Sequence, residues 1–209
     1  MTDTEKTSGE PAIDYIACSL LPTAHGEFRI HVFRSQEDPP VEHVVLAMGE
    51  LRGREKLLVR VHSECLTGDV FGSQRCDCGA QLDDAMARIA KAGNGAVVYL
   101  RGHEGRGIGL GNKILAYQLQ DQGRDTVEAN LDLGLPVDTR DYQAAAHMLD
   151  HLGVVSIRLM TNNPGKLAKL RACGIDIAER VPVQTRHTPH NLKYLRTKKE
   201  KLGHMLDFD

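Results

Sequence analysis

Strand and helix patterns alternate along the chain between residues 95 and 183, and this alternation constrains the fold more than any other feature. The segments GAVVYLR, residues 95–101, and VSIRLMT, residues 155–161, have the apolar character of buried strands. The segment NKILAYQLQDQG has helical spacing and ends at Gly123, and a short helix, KLAKLRACG, follows the turn NNPGK. Such alternation is typical of a layered α/β core.

Two further helices and a strand-rich front complete the pattern. From Ala80 onward apolar residues recur at helical spacing, and Gly93 stands where a left-handed glycine ends a helix. Residues 139–152 predict another helix, with Thr139 as its N-cap. Residues 12–62 instead alternate apolar and polar side chains, as in FRIHVFRS, which predicts strands joined by polar turns. We therefore expect an α/β fold, layered α/β/α, with a mixed β-sheet and a β-rich N-terminal part.

The chain divides into three parts. Its 209 residues are enough to bury a core without disulfides, and we expect one domain over residues 12–185. Residues 1–11 are acidic and polar and predict a disordered leader. Residues 186–209 form a basic C-terminal tail, and its segment HNLKYLRTKKEKLGH is interpreted as a solvated helix or a mobile end.

Charge and composition limit which partners and which cellular compartment we expect for this chain. The net charge is −2, with 26 basic and 28 acidic residues, so the chain has no global attraction for nucleic acid or anionic membranes. The N-terminus lacks the apolar core of a signal peptide, and no apolar run approaches the roughly 20 residues that span a bilayer. We expect a cytoplasmic protein without nucleic-acid or membrane partners. In that compartment clustered cysteines are more often metal ligands or catalytic groups than disulfides.

Three of the five cysteines fall within SECLTGDVFGSQRCDCG, residues 63–79. Cys76 and Cys78 are too close for a redox Cys-x-x-Cys turn or a zinc knuckle, and Cys65 lies eleven residues before Cys76. Structural zinc sites use four protein ligands, so three thiolates with an open fourth position for water is the sharper hypothesis. Small buried cysteines, or a closed structural site completed by His62, remain alternatives.

Three later motifs are candidates for ligand binding. RGHEGRGIGLGNK, residues 101–113, lies between a strand and a helix, where backbone amides and an arginine can hold phosphate, although it also suits a flexible loop. DLGLPVDTRDY places Asp138 two residues from Arg140, which also suits a helix cap beside a surface arginine. In LMTNNPGK, Thr161 and Lys166 can bind a purine edge or phosphate, or merely build the turn.

Taken in order, the motifs VRVHSECLTGDVFGSQRCDCGAQL, HEGRGIGLGNKILAYQLQDQGRDTVEAN, DLGLPVDTRDY and TNNPGK resemble GTP cyclohydrolase II. That enzyme opens the purine ring of GTP at the start of riboflavin synthesis. The likeness covers Ala12 to Val183, and four motifs in one order make it highly specific. It implies a hydrolase that converts GTP to 2,5-diamino-6-hydroxy-4-(5-phosphoribosylamino)pyrimidine, formate and pyrophosphate, with residues 12–185 as its catalytic domain.

The resemblance also implies ligands and cofactors. It places one Zn²⁺ per chain, with a water as fourth ligand, on Cys65, Cys76 and Cys78. It places GTP against Arg60, Val61, His62, Ser63, Glu64, Gln81, Glu104, Gly105, Arg106, Thr126, Thr161 and Lys166. Pyrophosphate departure normally needs Mg²⁺, which we expect to arrive with the nucleotide because no dedicated protein cage is visible in the sequence.

Catalytic roles follow from the same resemblance. Asp138 matches the proton acceptor and Arg140 the nucleophile toward the α-phosphate. A guanidinium with a pKa above about 12 is a poor nucleophile unless Asp138 holds or deprotonates it, and the alternative is that Arg140 only stabilises charge on the departing phosphate. Tyr117 matches a tyrosine near the base, and a family branch that stops after the first ring opening differs there. Glu64, beside a predicted zinc ligand, is a candidate proton shuttle to bound water unless strand alternation turns it away.

Two rival functions stay open. One is a related cyclohydrolase that stops at a formamidopyrimidine product, and the other is a catalytically inactive GTP-binding regulator. The family is typically a homodimer, which we expect here. In many organisms the domain is fused behind a dihydroxybutanone phosphate synthase, and we expect this chain to carry a single function.

Overall fold

The computed structural model describes residues 13–184 and 188–206. The predicted leader, residues 1–11, lies outside the described residues. Within them no helix combines the length and the apolar character needed to cross a membrane.

Strands and helices follow one another along the chain much as the sequence pattern predicts. The strands are β1 Ile13–Thr23, β2 Gly26–Ser35, β3 Glu42–Met48, β4 Leu57–Ser63, β5 Gly95–Leu100, β6 Ile157–Met160 and β7 Ile177–Val181. The helices are α1 Leu66–Asp69, α2 Cys78–Ala92, α3 Gly109–Asp121, α4 Thr126–Asp132, α5 Gln143–His151, α6 Pro164–Ala172 and α7 Leu192–Leu202, with a 3₁₀ turn at Glu104–Arg106.

The strands form one mixed sheet in the order β1-β2-β3-β5-β4-β6-β7. Pairing is antiparallel from β1 through β2 and β3 to β5, and parallel from β5 through β4 and β6 to β7. The antiparallel part comes from the strand-rich front of the chain, and the parallel part from the alternating region. The predicted mixed sheet with a β-rich N-terminal part is confirmed.

Helices cover both faces of this sheet. On one face Val98 of β5 packs in a cluster with Met148 of α5 and Leu170 of α6. On the other face Val97, the preceding residue of β5, packs with Ile89 of α2, because successive side chains of a strand point to opposite faces. Full burial of side chains such as these contributes about 1.5–3 kcal/mol each. The predicted α/β/α layering is therefore confirmed.

The helix predicted from Thr139 begins later than expected. In the structure α5 starts at Gln143, and the residue before it makes no side-chain cap. Thr139 is instead bound to the 3₁₀ turn, since its backbone N–H and its hydroxyl both donate to the carbonyl oxygen of Arg106, at 3.1 and 3.3 Å. A tertiary contact therefore outcompetes the local capping preference of threonine.

Helix α4 was not predicted, although its N-terminus has a local signal. Asp125 accepts hydrogen bonds from the backbone of Val127 and Glu128, and the Glu128 carboxylate accepts one from the Asp125 N–H. This reciprocal pair is a capping box.

The carboxyl ends of β4, β5 and β6 meet at one edge of the sheet, and the loops that leave them build the candidate site.

Candidate active site

One pocket lies at the carboxyl ends of β4, β5 and β6 and brings together residues from all four sequence motifs. The predicted residues that line it are Arg60, His62, Ser63, Glu64, Cys65, Cys76, Cys78, Gln81, Glu104, Gly105, Arg106, Tyr117, Thr126, Arg140, Thr161 and Lys166. Val61 and Asp138 do not line it. The Val61 side chain is fully buried in the core. Asp138 reaches the pocket only through its contact with Arg140.

Three thiols converge just beyond the end of β4. Cys65 follows that strand closely, whereas Cys76 and Cys78 stand where the chain enters α2. Their Sγ atoms all lie within 4.8 Å of one another, and those of Cys65 and Cys76 are 3.7 Å apart. Two sulfur ligands of a tetrahedral zinc ion, each about 2.3 Å from the metal, are separated by roughly 3.7 Å. The spacing of the thiols therefore fits zinc.

Two glycines leave room for this cluster. A Cβ atom at Gly68 would lie 2.9 Å from Cys76 Sγ and 3.2 Å from Cys65 Sγ. A Cβ atom at Gly79 would overlap the carbonyl oxygen of Gly68. A Cβ atom at Gly79 is therefore blocked by backbone, whereas one at Gly68 would force the thiols to shift, so the arrangement of α1 and the start of α2 around the thiols depends on both glycines.

His62 is held by Asp69 rather than by the thiol cluster. Its Nε2 lies 3.1 Å from both carboxylate oxygens of Asp69, and its ring stacks on Tyr99 with centroids 5.4 Å apart. Asp69 also accepts hydrogen bonds from the Tyr99 hydroxyl at 2.8 Å and from the Cys65 N–H at 3.0 Å. Over residues 13–184 and 188–206, the metal-capable cluster holds three cysteines and no histidine. A closed site completed by His62 is not supported.

A buried lysine stands beside the thiols. Lys113 Nζ lies 3.2 Å from Cys65 Sγ and donates to Glu104 Oε1 at 2.6 Å. Burial alone would lower the pKa of Lys113, but the bond to Glu104 and the neighbouring thiol raise it above its ordinary value. The pKa of Cys65 is lowered by hydrogen bonds from the two neighbouring thiols and further by the Lys113 charge. A thiolate, the form that binds metal, is therefore favoured at Cys65, whereas the hydrogen bonds with Cys65 raise the pKa of Cys76 and Cys78.

The Glu64 carboxylate is bound to the loop after β5. Its Oε2 accepts the Gly102 N–H at 2.8 Å, and its Oε1 lies 3.9 Å from Arg101 Nε. The Glu104 carboxylate is linked to the thiols through Lys113, and it also accepts the Leu66 N–H at 2.7 Å. Glu64 therefore lines the pocket with its carboxylate held by the loop after β5.

The loop after β5 reverses direction through several residues with positive φ. Gly105 and Arg106 both have positive φ, at 60° and 67°, so the backbone reverses sharply around the buried Glu104. Gly107 follows at φ 93°, where a Cβ atom would overlap the Thr139 hydroxyl. This left-handed conformation favours glycine and turns Arg106 into the pocket.

Arg140 and Asp138 form a bidentate ion pair. Arg140 Nε donates to Asp138 Oδ1 at 2.9 Å, and a terminal guanidinium nitrogen donates to Oδ2 at 2.6 Å. Burial would raise the pKa of Asp138, but the hydrogen bonds and charge of Arg140 bring it down to about 2. Burial would lower the pKa of Arg140, and Asp138 more than offsets this. Both groups are therefore charged at neutral pH.

Thr161 directly follows β6 and Lys166 lies in the first turn of α6, as the TNNPGK motif predicts. Lys166 Nζ donates to the carbonyl oxygen of Val61 at 2.7 Å, so Val61 contributes backbone alone. Burial, together with the charges of Arg60 and Arg140, holds the pKa of Lys166 well below its ordinary value. An anion bound in the pocket would relieve this repulsion, so the cationic cluster suits a phosphate ligand.

The family model described as GTP cyclohydrolase II matches residues 15–182. The chain belongs to the GTP cyclohydrolase II family. The riboflavin biosynthesis protein RibBA of Salinispora tropica is 57% identical over 197 residues, which are 94% of this chain and 49% of that protein. The protein of the same name from Mycobacterium tuberculosis is 57% identical over 202 residues, 94% of this chain and 47% of that one. The chain spans about half the length of these curated relatives.

A solved structure of RibBX, a two-domain 3,4-dihydroxy-2-butanone 4-phosphate synthase from A. baumannii, aligns with a TM-score of 0.42 and 20% identity. The alignment covers 74% of this chain and 35% of that one, and the likeness is too weak to bear on the fold. The family predicted from the four motifs, one of hydrolases in riboflavin biosynthesis, is confirmed.

The pocket and the residues packed around it include several that the sequence did not single out. Lys113 was seen only as the end of a glycine-rich loop, and Asp77 only as the spacer between two cysteines. Tyr194, Lys198 and His204 of the C-terminal segment also line the pocket. Burial of charged residues is the signal that identifies them, and it requires the fold: Lys113, Asp77 and Lys198 are all at most 8% exposed.

The C-terminal segment is not the solvated helix or mobile end that its charge suggested. Leu195, Thr197 and Lys198 of α7 are buried, whereas Lys193, Lys199 and Lys201 are exposed. Helix α7 therefore packs part of its surface against the pocket, and the basic composition of the segment reflects the side chains that stay exposed.

Proposed function

We propose that the chain catalyses the zinc-dependent hydrolysis of GTP to 2,5-diamino-6-hydroxy-4-(5-phosphoribosylamino)pyrimidine, formate and pyrophosphate, the first step of riboflavin biosynthesis. One observation carries the proposal: three converging thiols and a cluster of buried cations line the same pocket. Thiols at this spacing suit a zinc ion, and the cations suit a polyphosphate. Family membership supplies the guanine nucleotide as the substrate that needs both.

We propose one zinc ion per chain, held by Cys65, Cys76 and Cys78. When bound, such an ion lowers the pKa of a coordinated water and polarises an electrophile, which hydrolysis at the purine C8 carbon requires. The chain prepares this site with Lys113, whose ammonium group offsets thiolate charge. Glu104 in turn holds Lys113 and the start of α1, so these two residues keep the Cys65 end of the cluster in place.

The proposed GTP contacts are the residues that the family resemblance implied. All except Val61 line the pocket, and Val61 supports Lys166 through its carbonyl oxygen. Lys166, Arg60 and Arg106 provide positive charge for phosphate groups, whereas Gln81 and Thr161 offer neutral hydrogen bonds. Tyr117 lies near the thiols, with the Lys113 ammonium 5.6 Å from its ring centroid, where we propose that it contacts the base at the reacting carbon.

For the departure of pyrophosphate we propose that Arg140 stabilises negative charge, with Asp138 as the residue that holds it. A guanidinium in a bidentate pair with an ionised carboxylate is a poor nucleophile because its proton is retained. A charged arginine beside the α-phosphate acts well as a stabiliser of the transition state. Acid quenching during turnover followed by mass spectrometry tests this, since a nucleotidyl adduct on Arg140 would contradict it.

Proton transfer to and from the attacking water needs a further group. We propose Glu64 for that role because it lines the pocket, although its carboxylate must release the Gly102 N–H to reach the reacting atoms. Asp138 is the weaker base, since its pKa of about 2 leaves little driving force for proton capture. Comparing Glu64→Gln with Asp138→Asn for solvent isotope effects on formate release separates the two assignments.

The proposal also covers the second metal ion, the oligomeric state and the cellular location. Mg²⁺ is proposed to enter with the nucleotide, and the active species is proposed to be a homodimer. A cytoplasmic location is proposed because it supplies GTP and keeps thiols reduced, and all five cysteines are free.

One incubation of zinc-loaded protein with GTP distinguishes the rival functions. Formate, pyrophosphate and the diaminopyrimidine formed in equal amounts would support the full reaction. Pyrophosphate with a formamidopyrimidine and no formate would indicate the enzyme that stops early. Binding of GTP without any product would indicate an inactive regulator. Cys76→Ser serves as the control, because it removes a zinc ligand while leaving the cationic cluster intact.

A further inference from the structure

Helix α7 is fastened across the catalytic pocket at both of its ends. Near its start, Lys193 Nζ donates to the carbonyl oxygens of Gly123 and Arg124 at 3.1 and 3.2 Å. Just beyond its end, the Met205 N–H donates to the carbonyl oxygen of Asn162, after β6, at 2.9 Å. Since Leu195 is only 3% exposed, the helix packs firmly between these attachments. It therefore forms a wall of the pocket.

From this wall Lys198 reaches residues 65–78, the segment that carries the three cysteines and is called the metal loop below. Its Nζ lies 2.7 Å from Asp77 Oδ1, and the two side chains are only 10% and 1% exposed. Asp77 is the residue between Cys76 and Cys78. The pair therefore joins a helix near the end of the chain to the backbone that carries two of the three thiols.

The other oxygen of Asp77 extends the connection toward the sheet. Asp77 Oδ2 accepts a hydrogen bond from Gln81 Nε2 at 2.6 Å, and Gln81 Oε1 accepts one from the Arg60 guanidinium. Arg60 in turn donates to the carbonyl oxygen of Met160 at 3.0 Å. Each oxygen of this buried carboxylate thus has a defined partner, and Lys198 is the partner that brings the opposite charge.

We propose that Lys198 is a positioning residue for zinc: through Asp77 it fixes the Cys76–Cys78 turn, and so sets how tightly the three thiolates hold the ion. The inference rests on the proposed function and assigns the C-terminal helix a part in it. The physical reason is that groups behind the direct ligands orient them, and their loss typically weakens metal binding by about 10- to 100-fold.

A matched pair of variants separates positioning from simple attachment of α7. Lys198→Met removes the ammonium that faces Asp77. Lys201→Met is the control, because Lys201 also fastens α7 through ion pairs, with Asp125 and Glu128, but touches nothing in the metal loop. Lys198→Arg keeps the positive charge, and we expect it to retain zinc almost as well as the wild type.

The readout is zinc transfer from the loaded full-length chain to an excess of a coloured chelator. We expect Lys198→Met to release zinc about 10-fold or more faster than wild type, and Lys201→Met to stay within about twofold. We also expect Lys198→Met to lose formate release more than pyrophosphate release, since the second reaction uses Arg140. Equal zinc release by the two variants would overturn the inference.

Because Lys198→Met leaves a buried carboxylate unpaired, it could unfold the chain. The double variant Asp77→Asn/Lys198→Met removes that charge, and we expect it to fold and still to release zinc about 10-fold faster. A native release rate in the folded double variant would overturn the inference. A wild-type chain that binds no zinc would overturn the proposed function itself, which is a different result from equal release by the two lysine variants.

Discussion

Replacing Gly68 with alanine should disturb the metal site without straining the backbone of α1. Gly68 is not among the glycines with positive φ, so its conformation is open to alanine. The added Cβ would lie 2.9 Å from Cys76 Sγ, 3.1 Å from Cys78 Cβ and 3.2 Å from Cys65 Sγ. Ordinary contacts need about 3.5–4.0 Å, so the thiols must move by several tenths of an ångström.

That displacement exceeds what zinc tolerates. Metal–ligand distances in working sites stay within about 0.2 Å of their usual values. Overpacking a filled site costs about 1–3 kcal/mol, and since about 1.4 kcal/mol is a factor of ten, we expect zinc affinity to fall roughly 5- to 150-fold. Competition with a chelator of known affinity measures this change directly.

Gly111→Ala is the matched control. Gly111 lies in α3 without positive φ, and a Cβ there meets nothing within 4 Å. We expect its zinc affinity to be native and its thermal stability to rise slightly, because alanine favours helix by about 1 kcal/mol over glycine. Native zinc affinity in Gly68→Ala would refute the packing described around the thiols.

Three further predictions address the rest of the pocket. Arg140→Lys, which loses the bidentate contact, should slow pyrophosphate release by about 10²–10³-fold while zinc content stays native; an unchanged rate would remove Arg140 from the chemistry. Tyr117→Phe should lower formate release more than pyrophosphate release in a product assay, and a proportional loss of both would argue against a role near the reacting carbon. In metal-free protein, the Asp138–Arg140 pair should stabilise the fold above pH 4. Folding lowers the pKa of Asp138 from 3.8 to about 2, so the unfolded chain binds more protons between these values and the contribution is lost as pH falls through that window. Urea midpoints of wild type and Asp138→Asn should therefore converge toward pH 2, and a constant difference would contradict the pair.

Much of the candidate site was predictable because its residues lie in short contiguous motifs. The Cys-x-Cys pattern with Cys65 eleven residues earlier identified the thiol cluster, and the glycine-rich loop after β5 gave its position on the sheet edge. Buried strands such as β5 were equally clear, since a short continuous apolar run bounded by glycine is typical of a strand buried on both faces.

What the sequence could not supply are contacts between distant segments. Lys198 pairs with Asp77 across 121 positions of the chain, and neither residue has a local pattern that reveals the other. Lys113 meets Cys65 only because α3 packs against the loop after β4. Thr139 was predicted to cap a helix, but its hydroxyl donates to the carbonyl oxygen of Arg106 instead. In each case a tertiary partner decides the role.

Zinc on three thiolates is proposed to drive formate release from GTP in this chain, and its dose dependence can be measured directly. Zinc is titrated into metal-free protein, and both bound zinc and the initial rate of formate release are recorded. We expect a rate that rises in proportion to bound zinc and saturates at one ion per chain. Formate release at the full rate from protein without metal would contradict the proposed role of zinc.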